Sequence, residues 1–286
     1  MSSVKPATSR VRLAYSEDFT TAPVVQGLDQ VVKGATVRRC VSLSEVRDLA
    51  RTGEAEVALV PTADALCLPN VSLIPCSAVT ALGATRSFML FSKKLPGEIK
   101  RVLVDQEDYG MTPLAKLLFP KKLMVRPEFL VSAEPIDPST YDLMQNDGFD
   151  AYLLTGRNAI VVKREPFAFT WDMTLAWYEY SRLPFVVHCW IVKKGLKLGG
   201  VDKQLGELSR RIDLKGESAI KTAERMNVTS SSIKAIFEKG FFAEFNPNIL
   251  TAIRRFGQEL AQARVLPVQA TSVYTEPAAT KRPTGV

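Results

Sequence analysis

Apolar and polar positions in the first third of the chain form short segments typical of strands separated by helices. Residues 11–15 alternate as a strand does, residues 35–41 form a second such segment, and residues 57–61 are a continuous apolar run. Such a run is typical of a parallel strand that is covered on both faces. Ser42 and Gly53 are suitable caps for the helix between the last two segments. The pattern predicts repeated strand–helix units and favours an α/β fold class.

The rest of the chain continues this pattern. It also contains two segments at which the chain is expected to cross from one lobe of the protein to another. Further strands are predicted at residues 71–76, 87–91, 101–105, 150–154 and 185–192. The polar stretch from Lys93 and the long strand around Val187 indicate the crossings. We therefore expect a two-lobed α/β protein that binds its ligand in the cleft between the lobes.

The expected organisation has four parts. Residues 1–11 form a flexible N-terminus, and residues 12–92 together with 192–266 form the first lobe. Residues 93–191 form a second lobe inserted in the first. Residues 267–286 are rich in Thr, Pro and Ala and are expected to be a disordered tail.

Composition narrows the classes of function. The chain has 286 residues, of which 46% are hydrophobic and 23% are charged, as in globular proteins. The net charge of +7 permits anionic partners without choosing among a small acid, a nucleic acid and a membrane surface. His188 is the single histidine, so a histidine-based metal cage or a zinc finger is close to excluded. We expect no cofactor and no metal.

Other features concern the cellular location. The four cysteines lack Cys-x-x-Cys spacing and favour buried free thiols. Residues 1–15 contain no apolar secretory segment, and no apolar run approaches the ~20 residues that a membrane-spanning helix needs. We therefore expect a cytoplasmic monomer or homodimer that binds neither membrane nor nucleic acid.

Three stretches, taken together, resemble the chorismate dehydratases of the futalosine route to menaquinone. Residues 53–61 (GEAEVALVP) are similar to that family's Gly-Glu-x-Asp-Val-Ala-Leu-Val segment. Residues 86–93 (RSFMLFSK) are similar to its x-Ser-Val-Leu-Leu-Phe-Ser segment, and residues 150–160 (DAYLLTGRNAI) to its Asp-Ala-x-Leu-Leu-Ile-Gly-Asp-x-Ala-Leu segment. Asp172 and residues 183–186 (LPFV) stand at further family spacings. The resemblance extends over residues 12–266.

This resemblance implies a type II periplasmic-binding-protein-like fold and a lyase reaction. The reaction removes water from chorismate and gives 3-[(1-carboxyvinyl)oxy]benzoate. Because the product gains aromatic stability, the protein mainly has to position a small diacid and stabilise negative charge. Hydroxyl groups and backbone amides can do so without histidine or metal.

The resemblance also implies a set of ligand-binding residues. Ser87 matches the family, whereas Thr20 stands where the family has an asparagine, and the turn of the second lobe lacks most of the family's hydroxyl groups. The candidate substrate-binding residues are Ser87, Thr20, Thr112, Met111, Gly110, Arg86, Arg157 and Asp172. Each has a structural alternative. The hydroxyl residues are suited to helix caps or loop hydrogen bonds, the arginines to a solvated surface, and the aspartate to a helix start.

Three functions from different classes stay open. The first is a chorismate dehydratase-like lyase with a small anionic substrate. The second is a non-catalytic or differently specific binding protein on the same fold, for a small aromatic or dicarboxylic acid. The differences from the family at Thr20, Gly110 and Met111 favour this second function. The third is a DNA-binding helix-turn-helix formed by residues 220–226 and 231–239. Packing of these helices on the first lobe explains their apolar positions equally well.

Overall fold

The computed structural model of the protein describes residues 10–17, 20–105, 110–134, 136–138, 141–145, 148–211, 217–239 and 241–276. The strands are β1 Val11–Ser16, β2 Ala35–Cys40, β3 Val57–Pro61, β4 Val71–Ala81, β5 Phe88–Ser92, β6 Arg101–Val104, β7 Glu128–Val131, β8 Ala151–Thr155, β9 Phe169–Asp172, β10 Phe185–Lys193 and β11 Phe241–Glu244. The helices are α1 Ala22–Val25, α2 Leu28–Val31, α3 Leu43–Thr52, α4 Thr62–Cys67, α5 Thr112–Leu118, α6 Gly156–Val161, α7 Met173–Ser181, α8 Val201–Arg211, α9 Glu217–Met226, α10 Ser230–Lys239 and α11 Pro247–Gln262. A 3₁₀ turn spans Pro96–Glu98, and a π-helical turn, Phe119–Leu123, continues α5.

The strands form two sheets, as expected of a two-lobed α/β fold. The first sheet has the order β11-β4-β10-β3-β1-β2, and the second has the order β7-β6-β8-β5-β9. In the first sheet β1 runs parallel to β2 and β3, whereas β10 runs antiparallel to β3 and β4. The predicted α/β class is confirmed.

Local sequence explains why these elements form where they do. The Ser42 side chain accepts a hydrogen bond from the Glu45 N–H and caps α3, which ends at Gly53 in the left-handed conformation (φ 80°). Every residue of β3 is buried, as its apolar run predicts. Both capping residues and the buried strand therefore agree with the sequence pattern.

The two crossings lie earlier in the chain than the expected boundaries at 92/93 and 191/192. β5 belongs to the second sheet and β10 to the first, so the chain passes between sheets at residues 82–87 and 173–184. The reason is that β5 is buried throughout and β10 is buried at every residue but Lys193, and an apolar run does not indicate which sheet it joins. On this sheet membership, we propose lobe boundaries at those two crossings.

Part of the expected disordered tail is ordered. β11 pairs with β4 only from Ser77 onward, which leaves the backbone of Leu73 without a strand at that edge. The tail covers it: the Leu73 N–H donates to the Ser272 carbonyl (2.8 Å), and the Tyr274 N–H donates to the Leu73 carbonyl (2.7 Å). This contact uses backbone groups, so side-chain composition did not reveal it. Residues 1–9 and 277–286, the outer parts of both expected flexible termini, lie outside the described residues.

The two helices considered as a DNA reader, α9 and α10, pack into the first lobe. Ala223 of α9 and Ile233 of α10 are buried in the main core. Phe237 packs edge-on against Phe241 of β11, with ring centroids 6.2 Å apart. Packing therefore accounts for Ala223, Ile233 and Phe237, whereas Ile220 of α9 is exposed.

A buried carboxylate ties the second lobe to α11. Glu259 is only 3% exposed and accepts hydrogen bonds from Lys121 Nζ (2.5 Å) and the Tyr180 hydroxyl (2.9 Å). Arg255 pairs with its second oxygen at 2.6 Å. Burial raises the pKa of Glu259, but the hydrogen bonds from Lys121 and Tyr180 and the two positive charges outweigh burial and hold that pKa below its ordinary value.

We expect Glu259→Gln to lower the free energy of unfolding at pH 7 by about 1–3 kcal/mol. Because the folded-state pKa is depressed, the stabilisation is complete above the ordinary pKa and is lost as the pH falls through the folded value. The difference between wild type and variant should therefore shrink below about pH 4. Urea unfolding at pH 7 and pH 3 measures both quantities.

The matched control is Glu179→Gln, which removes an exposed pair with Lys122 at 3.8 Å. This change should alter the free energy of unfolding by less than about 0.5 kcal/mol. Equal effects of the two substitutions would show that the Glu259 cluster adds no more stability than a surface pair.

Candidate functional site

One carboxylate joins the two crossings. Asp172, at the end of β9, caps α7 by accepting hydrogen bonds from the N–H groups of Thr174 (3.0 Å) and Leu175 (3.1 Å). Its other oxygen accepts the N–H of Arg86 from the first crossing (2.7 Å). The Thr174 hydroxyl is also 2.7 Å from the carboxylate. The described contacts of Asp172 are therefore those of a helix cap that also clamps the first crossing, which agrees with its structural alternative, a helix start.

A chain of buried hydroxyl groups leads from this carboxylate to Ser87. Thr174 Oγ1 lies 3.1 Å from Thr85 Oγ1, and the Ser87 hydroxyl donates to Thr85 Oγ1 (3.0 Å). Each hydroxyl has one proton, and Thr174 directs its own toward Asp172 or the Gly83 carbonyl. With the Thr174 proton so placed, Thr85 donates to Thr174, and the protons of Ser87 and Thr85 are both directed along the chain toward Thr174. Ser87 consequently presents lone pairs, not a proton, to any further partner.

The second lobe touches the end of β3 at a glycine. A Cβ added to Gly110 would lie 2.8 Å from Cβ of Pro61 and 3.0 Å from its Cγ, closer than real Cβ atoms approach. Met111 follows and packs its side chain in the main core. We call Pro61 with residues 110–112 the interlobe contact. The absence of a side chain at Gly110 is what permits the two lobes to meet there.

Thr112 has a buried hydroxyl beside this contact. Its residue is 4% exposed, and Oγ1 has no hydrogen-bond partner among the described residues. An unsatisfied buried hydroxyl is costly and calls for an explanation such as a ligand or an ordered water. Thr112 is the first residue of α5, and the backbone N–H groups of a first helical turn have no partner within the helix.

Thr20 lies at the same edge of the first sheet as Pro61. β1 and β3 are parallel neighbours, so their carboxyl ends share one edge, and Thr20 follows the end of β1. The residue is buried, and neighbouring Thr21 donates its hydroxyl to the Ser16 carbonyl (2.6 Å). Asp18 and residues 108–109, which precede Thr20 and Gly110 in the chain, lie outside the described residues.

The two candidate arginines lie on separate cavities. Arg157 is 3.8 Å from Asp137 and lines a cavity of about 520 Å³. Arg86 lines another cavity, of about 590 Å³, next to α10. The structure therefore brings together Ser87, Arg86 and Asp172 in one hydrogen-bonded group and places residues 110–112 at the interlobe contact, but it sets Arg157 apart.

Sequence reasoning missed Pro61, Thr85 and Thr174. The two threonines are 89 positions apart, and their only sequence signal is a hydroxyl residue within each crossing. Pro61 ends a buried strand whose carboxyl end faces the second lobe, which is the place where α/β folds gather ligand contacts.

Asp64, which follows Pro61 in α4, has a perturbed carboxyl group. Burial raises its pKa to about 6, with Arg47 lowering the pKa and Asp48 raising it. Those two charges belong to α3, so the charged groups that act on Asp64 lie on that helix and not at the interlobe contact. Within the described ranges, no group of three or more His, Cys, Asp or Glu side chains is placed to hold a metal ion. No helix in the same ranges is long and apolar enough to cross a bilayer.

The sequence profile of a family described as menaquinone biosynthesis matches residues 11–258. No curated protein sequence matches the chain. The fold is similar to that of protein AF1704 from Archaeoglobus fulgidus, with a TM-score of 0.65 and 16% identity over 90% of this chain and 98% of that chain.

Two further structures share the fold. The periplasmic aliphatic sulphonate binding protein SsuA from Escherichia coli matches with a TM-score of 0.60 and 8% identity over 98% of each chain. The CA3427 gene product of Candida albicans, described as having the generic periplasmic binding protein fold, matches with a TM-score of 0.57 and 11% identity over 94% of this chain and 99% of that chain. At these identities the similarities establish the periplasmic-binding-protein fold.

We expect Gly110→Ala to separate the lobes, because the new methyl group meets the Pro61 ring at 2.8 Å. The strain of that overlap should lower the free energy of unfolding by about 1–3 kcal/mol. Separation of the lobes to relieve the strain should increase the radius of gyration. Gly97→Ala is the matched control, since a Cβ there meets nothing within 4 Å. Thermal unfolding and small-angle scattering measure the two effects, and identical behaviour of both variants would refute the tight contact.

Proposed function

We propose, since the chain belongs to the menaquinone biosynthesis family, that it is a lyase of the chorismate dehydratase type. The observation behind this proposal is the family match over residues 11–258, which spans both sheets and includes the motifs around Pro61, Ser87 and Gly156. Lyase activity, the futalosine route and a cytoplasmic location are all parts of the proposal. The substrate is a small diacid held between the lobes.

The proposed reaction loses one ring hydroxyl group and one ring proton from chorismate. The proton leaves the carbon that bears the enolpyruvyl ether, the neighbouring hydroxyl departs, and together they form water. A carboxylate of the substrate itself takes the proton from carbon and passes it to the departing hydroxyl group, which leaves as water, so no basic side chain of the protein is required. What the protein supplies is orientation of the diacid, exclusion of bulk water and stabilisation of negative charge.

Each of these roles has a candidate on this chain. The buried hydroxyl of Thr112, which has no described partner, is suited to donate to a substrate carboxylate. Thr20 supplies a second hydroxyl at the neighbouring strand end. Ser87, whose proton is directed to Thr85, is suited to accept a hydrogen bond from the substrate's hydroxyl group. The close approach of Gly110 and Pro61 is suited to excluding bulk water from the space between the lobes.

A second candidate function is a binding protein that holds a small aromatic or dicarboxylic acid without turning it over. The observation that favours it is the set of departures from the family, with Thr20 in place of asparagine and Gly110 and Met111 in place of hydroxyl residues. The fold similarity to a sulphonate binding protein is compatible with both functions, because it concerns the fold alone.

Incubation of the purified protein with chorismate separates these functions. We expect loss of the diene absorbance and appearance of an aromatic product, both absent with heat-denatured protein. Binding of chorismate without product, measured by calorimetry, would favour the second candidate. Neither binding nor turnover would refute both.

Thr112→Val tests the binding role of the hydroxyl without changing side-chain shape. We expect kcat/KM for chorismate to fall about 10–100-fold, since one charge-assisted hydrogen bond is lost. The melting temperature should stay equal or rise, because the hydroxyl has no described partner in the folded protein. Thr112→Ser keeps the hydroxyl and should retain activity within about threefold. A loss of stability with normal turnover would assign Thr112 a purely structural role.

Ser87→Ala has a different expected signature. The Ser87 hydroxyl is fully buried and donates to Thr85, so its removal should lower the free energy of unfolding by about 1 kcal/mol. If Ser87 also accepts a hydrogen bond from the substrate, kcat/KM should fall by more than tenfold in the same variant. Unchanged turnover in a destabilised protein would limit Ser87 to the hydroxyl chain.

A further inference from the structure

A cavity of about 590 Å³ lies where three parts of the chain meet. Residues 84–86 of the first crossing form one side. β5 and α6 of the second lobe form another, and α10 of the first lobe forms the third. The apolar part of the wall includes Met89, Ile160 and Ile236. This volume lies within the range of small-molecule sites, which extends from about 300 to 1,000 Å³.

The charged side chains described in the wall of this cavity are all positive. Arg86 and Arg164 both line it, and no aspartate or glutamate is among the described residues that line it. Within the described residues, neither guanidinium group takes part in an ion pair or a hydrogen bond, so both are available to an anion. The hydroxyl groups of Ser231 and Ser232 add polar contacts at the α10 side.

The backbone at Arg86 is held in an unusual conformation. Its φ of 57° is left-handed, which is unfavourable for a residue with a side chain. The hydrogen bond from its N–H to Asp172 (2.7 Å) keeps it there. Strained residues that the surroundings hold in place are common at ligand sites. The clamp at Asp172 thus fixes the direction from which the Arg86 side chain reaches the cavity.

We propose that this cavity binds a small aromatic carboxylate. Its ring packs on Met89, Ile160 and Ile236, and its carboxylate lies between the guanidinium groups of Arg86 and Arg164. The site shares no lining residue with Thr20, Thr112 or Gly110. Arg86 is thereby assigned to this second site and not to the substrate site between the lobes. The assignment does not depend on the proposed lyase reaction.

A ligand in this cavity contacts both lobes and the crossing between them. α10 belongs to the first lobe, whereas Met89 and Ile160 belong to the second. A ligand that contacts two bodies stabilises the arrangement in which both contacts are made. Occupancy of the cavity and binding between the lobes are therefore coupled, and the coupling acts in both directions.

Calorimetry with 2-naphthoate tests the proposal on the full-length protein. We expect saturable binding, at least tenfold weaker binding of the neutral 2-naphthalenemethanol, and no comparable binding of inorganic phosphate. Arg86→Gln and Arg164→Gln should each weaken 2-naphthoate binding at least tenfold. Arg126→Gln removes an exposed arginine outside the cavity and should leave the affinity unchanged.

Ala235→Glu provides an independent variant, because Ala235 is exposed and lines the cavity from α10. The added negative charge should abolish 2-naphthoate binding while the melting temperature stays within about 2 °C. Absence of saturable binding to the wild type, or affinity insensitive to both arginines, would overturn the proposal. It would also be overturned if Thr112→Val weakened 2-naphthoate binding as much as Arg164→Gln, since the ligand would then occupy the interlobe contact. Failure of chorismate turnover has no bearing on these outcomes.

Discussion

The carboxylate of Asp172 holds side by side the two segments through which the chain passes between its sheets. One oxygen caps the N-terminus of α7, and the other accepts the backbone N–H of Arg86. The same group terminates the hydroxyl chain that reaches Ser87, whose carbonyl accepts the N–H of Gly156 at the start of α6. The start of one helix and the backbone position of Arg86 therefore both depend on a single side chain, which the hydroxyl chain links to the residue that joins α6. A buried carboxylate is suited to this role because it accepts several hydrogen bonds at once.

The two candidate binding regions differ in the donors that they present. At the interlobe contact the available group is the buried hydroxyl of Thr112, next to an apolar contact between Gly110 and Pro61. At the cavity beside α10 the donors are exposed guanidinium groups above an apolar floor. A buried hydroxyl selects a ligand by geometry, because it bonds in few directions and is costly when unpaired. Guanidinium groups select by charge, and their attraction weakens as salt screens it.

Several features were predictable from the sequence because they depend on local chemistry. The all-buried strand β3 has a continuous apolar run, and α3 begins and ends at residues with the matching cap chemistry. Sheet membership of β5 and β10 was not predictable, since a strand buried on both faces has the same pattern in either lobe. The Thr85–Thr174 contact joins positions far apart in the chain, and the tail at residues 272–274 pairs through its backbone. Neither contact has a periodic side-chain signature.

The Glu259 cluster has a mechanical consequence when it is considered together with Asp172. Lys121 belongs to the second lobe and Glu259 to α11, so their contact is a second fixed point between the two bodies, separate from the crossings. The contact between Gly110 and Pro61 is a further such point, and Val60 of the first lobe and Leu114 of the second belong to one hydrophobic core. Separating the lobes would therefore expose apolar surface and also take Lys121 away from Glu259, which would keep Arg255 of its own helix as its cation. The buried carboxylate thus opposes opening of the lobes in addition to stabilising the fold.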